Sequence, residues 1–159
     1  MTRIAIIDGI RTPMGKYNGA LAKVQADDLA AHVIKELMFR VPLEPSQIDE
    51  VIFGNVGNPA HAMNIARVAA LKAGLSKNIP AYTTHRNCAS GMESVSQAIN
   101  KINAGEGEIF IAGGTESMSN IPFIFNHKGK AFFEGLAGAR SFGQKLQAIT
   151  KFRLSSFAP

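Results

Sequence analysis

Pro80-Ala81-Tyr82-Thr83-Thr84-His85-Arg86-Asn87-Cys88-Ala89-Ser90-Gly91-Met92-Glu93 changes periodicity in its middle. The first six residues, bounded by proline and rich in β-branched and aromatic side chains, read as a short strand. Beyond the cysteine, Met92, Val95, Ile99 and Ile102 recur at helical spacing. The only cysteine of the chain therefore stands on a strand-to-helix turn. Two helix starts fit: Asn87 as N-cap, or Ser90 as N-cap with Glu93 three residues on completing a capping box. Either places Cys88 within a residue or two of the helix N-terminus. There the unsatisfied backbone N–H groups and the macrodipole favour a thiolate over a free thiol of pKa about 8.5. Positions 88, 92, 95 and 99 share a face, so the sulfur is expected to point inward to a sheltered place. Spacing alone leaves two readings open. Most free cysteines are small buried apolar residues, and a thiolate at a helix start is a nucleophile.

Outward from this stretch the chain alternates between strand and helix patterns. Arg3 to Asp8 (R-I-A-I-I-D) reads as a buried strand, and Gly9 to Gly19, with Pro13, Gly15 and Gly19, as a loop. Ala26-Asp27-Asp28 opens a helix in which Leu29, Val33, Ile34, Leu37 and Met38 share a face. Acids stand in its first turn, Arg40 at its end and Pro42 beyond. Ile48 to Gly54 is a second strand and Asn55 to Met63 a loop. Asn64 caps a short helix through Ile65, Val68, Ala69 and Leu71 that stops at Gly74. The helix after Cys88 ends near Ala104-Gly105, and Glu108 to Gly113 is a fourth strand, followed by Gly114-Thr115-Glu116-Ser117-Met118-Ser119. Four strands alternating with three helices predict an α/β layer structure whose neighbouring strands pair in parallel. In such sheets reactive groups collect at the carboxyl ends of strands. Cys88 and Glu116-Ser117 both belong to that edge, where Glu116, Ser117 and Ser119 equally suit ordinary turn chemistry.

A chain of 159 residues with 46% hydrophobic content buries a core of its own. One cysteine excludes an internal disulfide and fits a reducing, cytoplasmic compartment. The apolar run at the N-terminus is interrupted by Asp8, far below spanning length, so no membrane segment is expected. The net charge of +5 is unevenly placed. Eleven basic and eleven acidic side chains cancel between Met1 and Asn126, while Lys128, Lys130, Arg140, Lys145, Lys151 and Arg153 face Glu134 alone in the remainder. That basic stretch interleaves Phe132, Phe133, Phe142 and Phe152 with Leu136, Leu146 and Leu154 in a packing pattern, with no nucleic-acid-binding module. No G-x-G-x-x-G follows a strand, and His32, His61, His85 and His127 are too scattered, beside one cysteine, to build a metal cluster. His85, three residues before Cys88, faces the thiol or points away, depending on how the strand ends.

Together, Asn87-Cys88-Ala89-Ser90-Gly91-Met92, Ile111-Ala112-Gly113-Gly114-Thr115-Glu116-Ser117-Met118-Ser119 and Arg11-Thr12-Pro13 with Gly15 and Gly19-Ala20-Leu21 closely resemble the thiolase family of acetyl-CoA acyltransferases. Ala26-Asp27-Asp28-Leu29, Glu50-Val51-Ile52-Phe53-Gly54-Asn55 and Ala66-Arg67 with Ala69-Ala70-Leu71 extend the match colinearly over nearly residues 3 to 125. Thr84 and His85 depart from the family signature, which has an aliphatic residue and then Asn, Ser or Thr at those places.

The resemblance implies that Cys88 is the nucleophile that becomes acylated. It implies an N-terminal thiolase half, with a mixed, mostly parallel sheet and helices on both faces, part of an α-β-α-β-α layered fold. Residues 1–119 would form that domain and 120–159 the start of the basic loop domain that meets coenzyme A phosphates. The Gly-His-Pro histidine and the Cys-x-Gly acid/base of the family's second half do not occur in these 159 residues, so the chain is expected to be an incomplete, N-terminal portion. The implied reaction is thiolysis of a 3-ketoacyl-CoA or condensation of acyl-CoA units. Coenzyme A would be substrate and product, with no metal or redox cofactor, in a homo-oligomer (dimer or tetramer) that binds neither nucleic acid nor membrane. A ketoacyl synthase shares the fold and the cysteine nucleophile, but the Gly113-to-Ser119 run favours thiolase. A non-catalytic half-domain that binds a partner subunit is the alternative outside the enzymes.

Overall fold

The computed structural model describes residues 3–122 and 126–150. The chain divides into two compact units, Met1–Pro122 and Phe123–Pro159. Lys151, Phe152, Arg153 and Leu154 of the basic stretch lie outside the described residues.

In the first unit, three short strands make one sheet: β1 (Glu50–Gly54), β2 (Ala81–Thr84) and β3 (Phe110–Gly114), in the order β2-β1-β3. Both ladders are parallel, with Val51 opposite Ala81 and Ile111, and Gly54 opposite Thr84 and Gly114. Connections between parallel neighbours need crossovers. The first contains α2 (Ile65–Lys72), joining β1 to its neighbour β2, and α3 (Ser90–Ala104) then carries the chain from β2 past β1 to β3. Side chains alternate across the sheet. Val51, Phe53 and Ile111 join the main core with Ala30 and Ile34 of α1 (Ala26–Arg40) and Ile65, Ala66 and Ala69 of α2. Ile52, wholly buried, points to the opposite face, where α3 packs.

The helix over residues 26–40 is as the spacing predicts, with Asp27 and Asp28 in its first turn and Arg40 in its last. Asn64 caps α2 by accepting from the Arg67 N–H at 3.2 Å, and Gly105 ends α3 in the left-handed region at φ 74°.

Two expectations are corrected. Arg3 to Asp8 is not a strand: the segment carries no regular structure, and Ile6 and Ile7 are 85% and 67% exposed. A slot of about 320 Å³ lies between Ile4–Asp8 and the Glu108–Ala112 edge, walled by Val95, Ile99 and Ile102. A strand exists only through its ladder, and no ladder joins this segment to β3 across the slot. The apolar face of α3 is also not the face on the sheet. Met92 is 69% and Ile99 39% exposed, while Ser90, Ser94 and Ala98 are buried. The cause is distance. A Cβ on Gly114 would lie 2.9 Å from Gly91 Cα, and one on Gly54 would collide with the Ser90 backbone carbonyl. At that approach only small residues fit between helix and sheet.

The second unit contains α4 (His127–Gly138), capped by Asn126 Oδ1 accepting from the Lys128 and Gly129 N–H groups, and α5 (Phe142–Thr150). The Phe132 and Phe133 rings meet edge-to-face at 5.2 Å. No helix among the described residues is long and apolar enough to cross a membrane.

Candidate functional site

The parallel register brings the carboxyl ends of all three strands to one edge, and the ladder continues a step beyond them. The Asn55 N–H donates to Thr84 O at 3.3 Å and the Thr115 N–H to Gly54 O at 3.0 Å. Three loops therefore start side by side, at residues 55, 85 and 115. They enclose an open cleft of about 780 Å³ lined by Asn55 and Val56 from the first, Asn87 and Cys88 from the second, and Thr115, Glu116 and Met118 from the third.

Cys88 lies two residues before the first helical residue, with Ala89 at the N-cap. Neither anticipated cap forms. Ser90 Oγ turns back instead, donating to Asn87 O at 2.6 Å and accepting from the Arg86 N–H at 2.8 Å. Glu93 is drawn sideways to Arg86 Nη1 at 2.5 Å and Gln97 Nε2 at 2.8 Å, so it cannot complete a capping box. Those two hydrogen bonds, from Gln97 first and Arg86 second, hold the Glu93 carboxyl below its usual range. Asn87 adopts φ 49°, in the left-handed region that asparagine tolerates better than most residues. The tight turn ahead of α3 leaves the thiol exposed, not sheltered as the face pattern predicts.

His85 is exposed; its Nδ1 accepts weakly from the Asn87 N–H at 3.5 Å, and the side chain does not line the cleft. Ser117 and Ser119 do turn chemistry. Ser117 Oγ donates to Val24 O at 3.0 Å, and Ser119 Oγ accepts from the Asn18 N–H at 3.0 Å. With Thr115 Oγ1 on Ala26 O at 2.7 Å and Asn120 Nδ2 on Ala22 O at 2.9 Å, they tie the segment after β3 to the entry of α1.

Glu116 does more than a turn residue. Its carboxylate accepts from the Val56 N–H at 2.8 Å, the Gly57 N–H at 3.2 Å and Asn55 Nδ2 at 3.1 Å, fastening the first loop to the third. Asn55, 1% exposed, also donates to Thr115 O at 2.8 Å and accepts from the Asn58 N–H at 2.8 Å. Nothing local in the sequence marks Asn55 as this hub. The available signal is that it follows one strand at the same edge where Glu116 follows another.

A second charged group sits behind the site. The Asp27 side chain is wholly buried and receives Lys72 Nζ at 2.5 Å and His61 Nε2 at 3.1 Å; Asp28 shares the lysine at 2.6 Å. Burial pushes the Asp27 carboxyl up, but the hydrogen bonds from Lys72 and His61, with a backbone hydrogen bond and the charge of Lys72, hold it below the usual carboxylate range.

Residues 4–144 match the family described as thiolase, N-terminal domain. A probable acetyl-CoA acyltransferase of Staphylococcus aureus (strain NCTC 8325) is 42% identical over 135 residues, covering 85% of this chain and 34% of that protein. The 3-oxoadipyl-CoA/3-oxo-5,6-dehydrosuberyl-CoA thiolase of Escherichia coli (strain K12) is 45% identical over 134 residues, covering 83% and 33%. Among solved structures, the Bacillus anthracis acetyl-CoA acetyltransferase superposes with a TM-score of 0.71 at 38% identity, covering 74% of this chain and 30% of that one. The chain spans about a third of the length of the curated relatives it matches. The strand ends, the turn before α3 and the colinear match lead to one conclusion: the chain belongs to the thiolase family, as its N-terminal domain.

Proposed function

We propose that Cys88 is the nucleophile of a thiolase-type acyltransferase. The observation that supports this is the position of the chain's only thiol, exposed and two residues ahead of α3, in the cleft where the three strand ends converge. The Cys88 thiolate adds to the thioester carbonyl of an acyl-CoA, and the carbonyl carbon's bond to the coenzyme A sulfur breaks. Coenzyme A then leaves as a thiolate that takes up a proton. From a 3-ketoacyl-CoA the thiolate adds instead to the keto carbon, and the carbon–carbon bond breaks to release acetyl-CoA as an enolate that is protonated. The acyl-cysteine passes its acyl group to coenzyme A in thiolysis, or to the carbanion of acetyl-CoA in condensation. No step changes an oxidation state through an outside reagent, so coenzyme A is substrate and product and no redox group is called for. The backbone N–H of Cys88 itself, just ahead of α3, is a donor for the oxyanion.

Proton transfer is the weak point of the 159-residue chain. Glu116 is the other ionisable side chain lining the cleft among the described residues, and its carboxylate is already engaged by three N–H donors. A placed acid or base contributes about 10²–10⁴-fold. The reading is therefore that this chain alone does not turn over measurably, while Cys88 acylates slowly. It goes with self-association to at least a dimer, for which a monomeric mass by light scattering is the contrary result. Incubation with acetyl-CoA followed by peptide mass analysis is the main test. An acetyl increment on the Cys88 peptide, absent in Cys88→Ser, is expected. Its absence from the wild-type chain removes the nucleophile assignment. Steady thiolysis of acetoacetyl-CoA that Cys88→Ser abolishes would show that the chain supplies its own acid and base, with His85 the first suspect.

A further inference from the structure

We propose that Glu116 is a positioning residue, one that sets the shape of the cleft at Cys88 by pinning the Asn55–Asn58 turn. The proposal rests on the reading of that cleft as the acyl-receiving site and names a residue that controls it. The carboxylate sits in a nest of consecutive backbone N–H groups. Oε2 accepts from Val56 at 2.8 Å, and both oxygens lie within reach of the Gly57 N–H, at 3.2 and 3.3 Å. Asn55 Nδ2 adds a third donor at 3.1 Å. Each amide has one proton, and both protons go to Glu116.

The turn is built around this guest. A Cβ at Gly57 would stand 2.7 Å from Glu116 Oε1, so glycine is what lets the carboxylate approach. Asn58 takes φ 35°, and its N–H closes the turn onto Asn55 Oδ1 at 2.8 Å. Val56, which rides on the pinned amide, is 41% exposed and lines the same cleft as Cys88 and Met118. The Glu116 charge thus reaches the thiol's surroundings through the position of the wall. Three N–H donors occupy the carboxylate and leave it unsuited to moving a proton.

Removing the charge tests this in the 159-residue chain. In Glu116→Gln one oxygen becomes an NH₂ group that faces a donor, so the turn loosens at Val56. Cys88 alkylation is measured with a small reagent, iodoacetamide, and a bulky one, N-phenylmaleimide, alongside amide hydrogen exchange. The expected result is a rise of about fivefold in the ratio of bulky to small rates, roughly the net worth of one lost hydrogen bond. Exchange at Val56 and Gly57 should quicken while Ile52 and Phe53 stay protected, and Glu116→Asp should restore part of both effects. An unchanged ratio overturns the proposal, as does exchange that quickens equally through β1, which would mark Glu116 as a fold staple only. Should Glu116→Gln fail to fold, Glu116→Asp alone decides by the same ratio. The two readings fail separately. A shifted ratio with no acetyl mark on wild-type Cys88 keeps the wall and removes the acyl site, and an acetyl mark with an unchanged ratio does the reverse.

Discussion

Asp27 is the residue on which α1 and α2 are joined, and its environment fixes how the chain responds to pH. Its carboxyl is lower in the folded chain than the unfolded value of about 3.9. It therefore contributes stability that is present above about pH 4 and lost as pH falls through the folded value. Lys72, raised by its hydrogen bonds to Asp27 and then Asp28, contributes stability present below about pH 10.4 and lost as pH rises through its own folded value. The partners are unequal: the Asp27 side chain is wholly buried and that of Lys72 is 42% exposed. Lys72→Met leaves the buried carboxylate with His61 as its remaining ionisable side-chain partner, and the loss of stability at pH 7 should fall below the about 3–5 kcal/mol of a fully buried pair because the lysine is 42% exposed. Below pH 4 the loss should shrink as Asp27 takes a proton. Denaturant titrations at the two pH values measure both, and an equal loss at each would refute the account. Asp28→Ala, at a half-exposed group, should change stability by no more than about 1 kcal/mol. In the sequence Asp27 is indistinguishable from Asp28, each an acid in a first helical turn. What separates them is burial, with the Asp27 side chain wholly enclosed and that of Asp28 half-exposed, and His61, 34 positions away, which bonds Asp27 alone of the two.

Among the elements, those made by local periodicity are legible in the order of residues alone, and those made by approach are not. Leu29, Val33, Ile34, Leu37 and Met38 announce α1 by their helical repeat, although Ile34 alone of them is fully buried, and Ala26, Ala30 and Ala31 make the closest packing with Val33, Leu37 and Met38 half-buried beside them. For α3 the same rule selects Met92, Val95, Ile99 and Ile102, yet the face on the sheet is Ser90, Ser94 and Ala98. Ser94 Oγ donates to Gly113 O at 2.7 Å, which fits only where a helix lies nearly in backbone contact with a strand. The signal is present as small residues on both partners, Gly54, Gly113 and Gly114 against Ser90-Gly91, but it reads as turn chemistry until the register is known. The same closeness explains why the place of Cys88 on the strand-to-helix turn is legible while its exposure is not. Gly54→Ala tests the packing. The added methyl meets backbone, which no rotamer relieves, so a loss of about 1–3 kcal/mol is expected, together with a changed Cys88 alkylation rate as α3 moves. A variant with wild-type melting and wild-type Cys88 reactivity would show that the helix is free to shift.

Among the described residues of the first unit the sheet has three strands, with β2 and β3 at its edges, and the apolar slot beside β3 is walled by a segment outside any ladder. Exposed apolar side chains beside unsatisfied strand edges favour association. Light scattering of the 159-residue chain should show mass rising with concentration. Ile6→Lys, at a side chain 85% exposed, should reduce that rise without lowering the melting temperature. Association that is unaffected would place the contact elsewhere.

The ends of the unpaired segment bear on how copies of it could meet. Ile4-Ala5-Ile6-Ile7 is bracketed by Arg3 and Asp8, opposite charges that act as gatekeepers. Stacked in register as in a fibril, copies would set Arg3 above Arg3 and Asp8 above Asp8 at about 4.8 Å, like on like along the whole column. Paired antiparallel, two copies set each Arg3 opposite an Asp8, so the charges at the two ends attract instead of repelling. The charges that bracket the apolar run thus select against in-register stacking of that run.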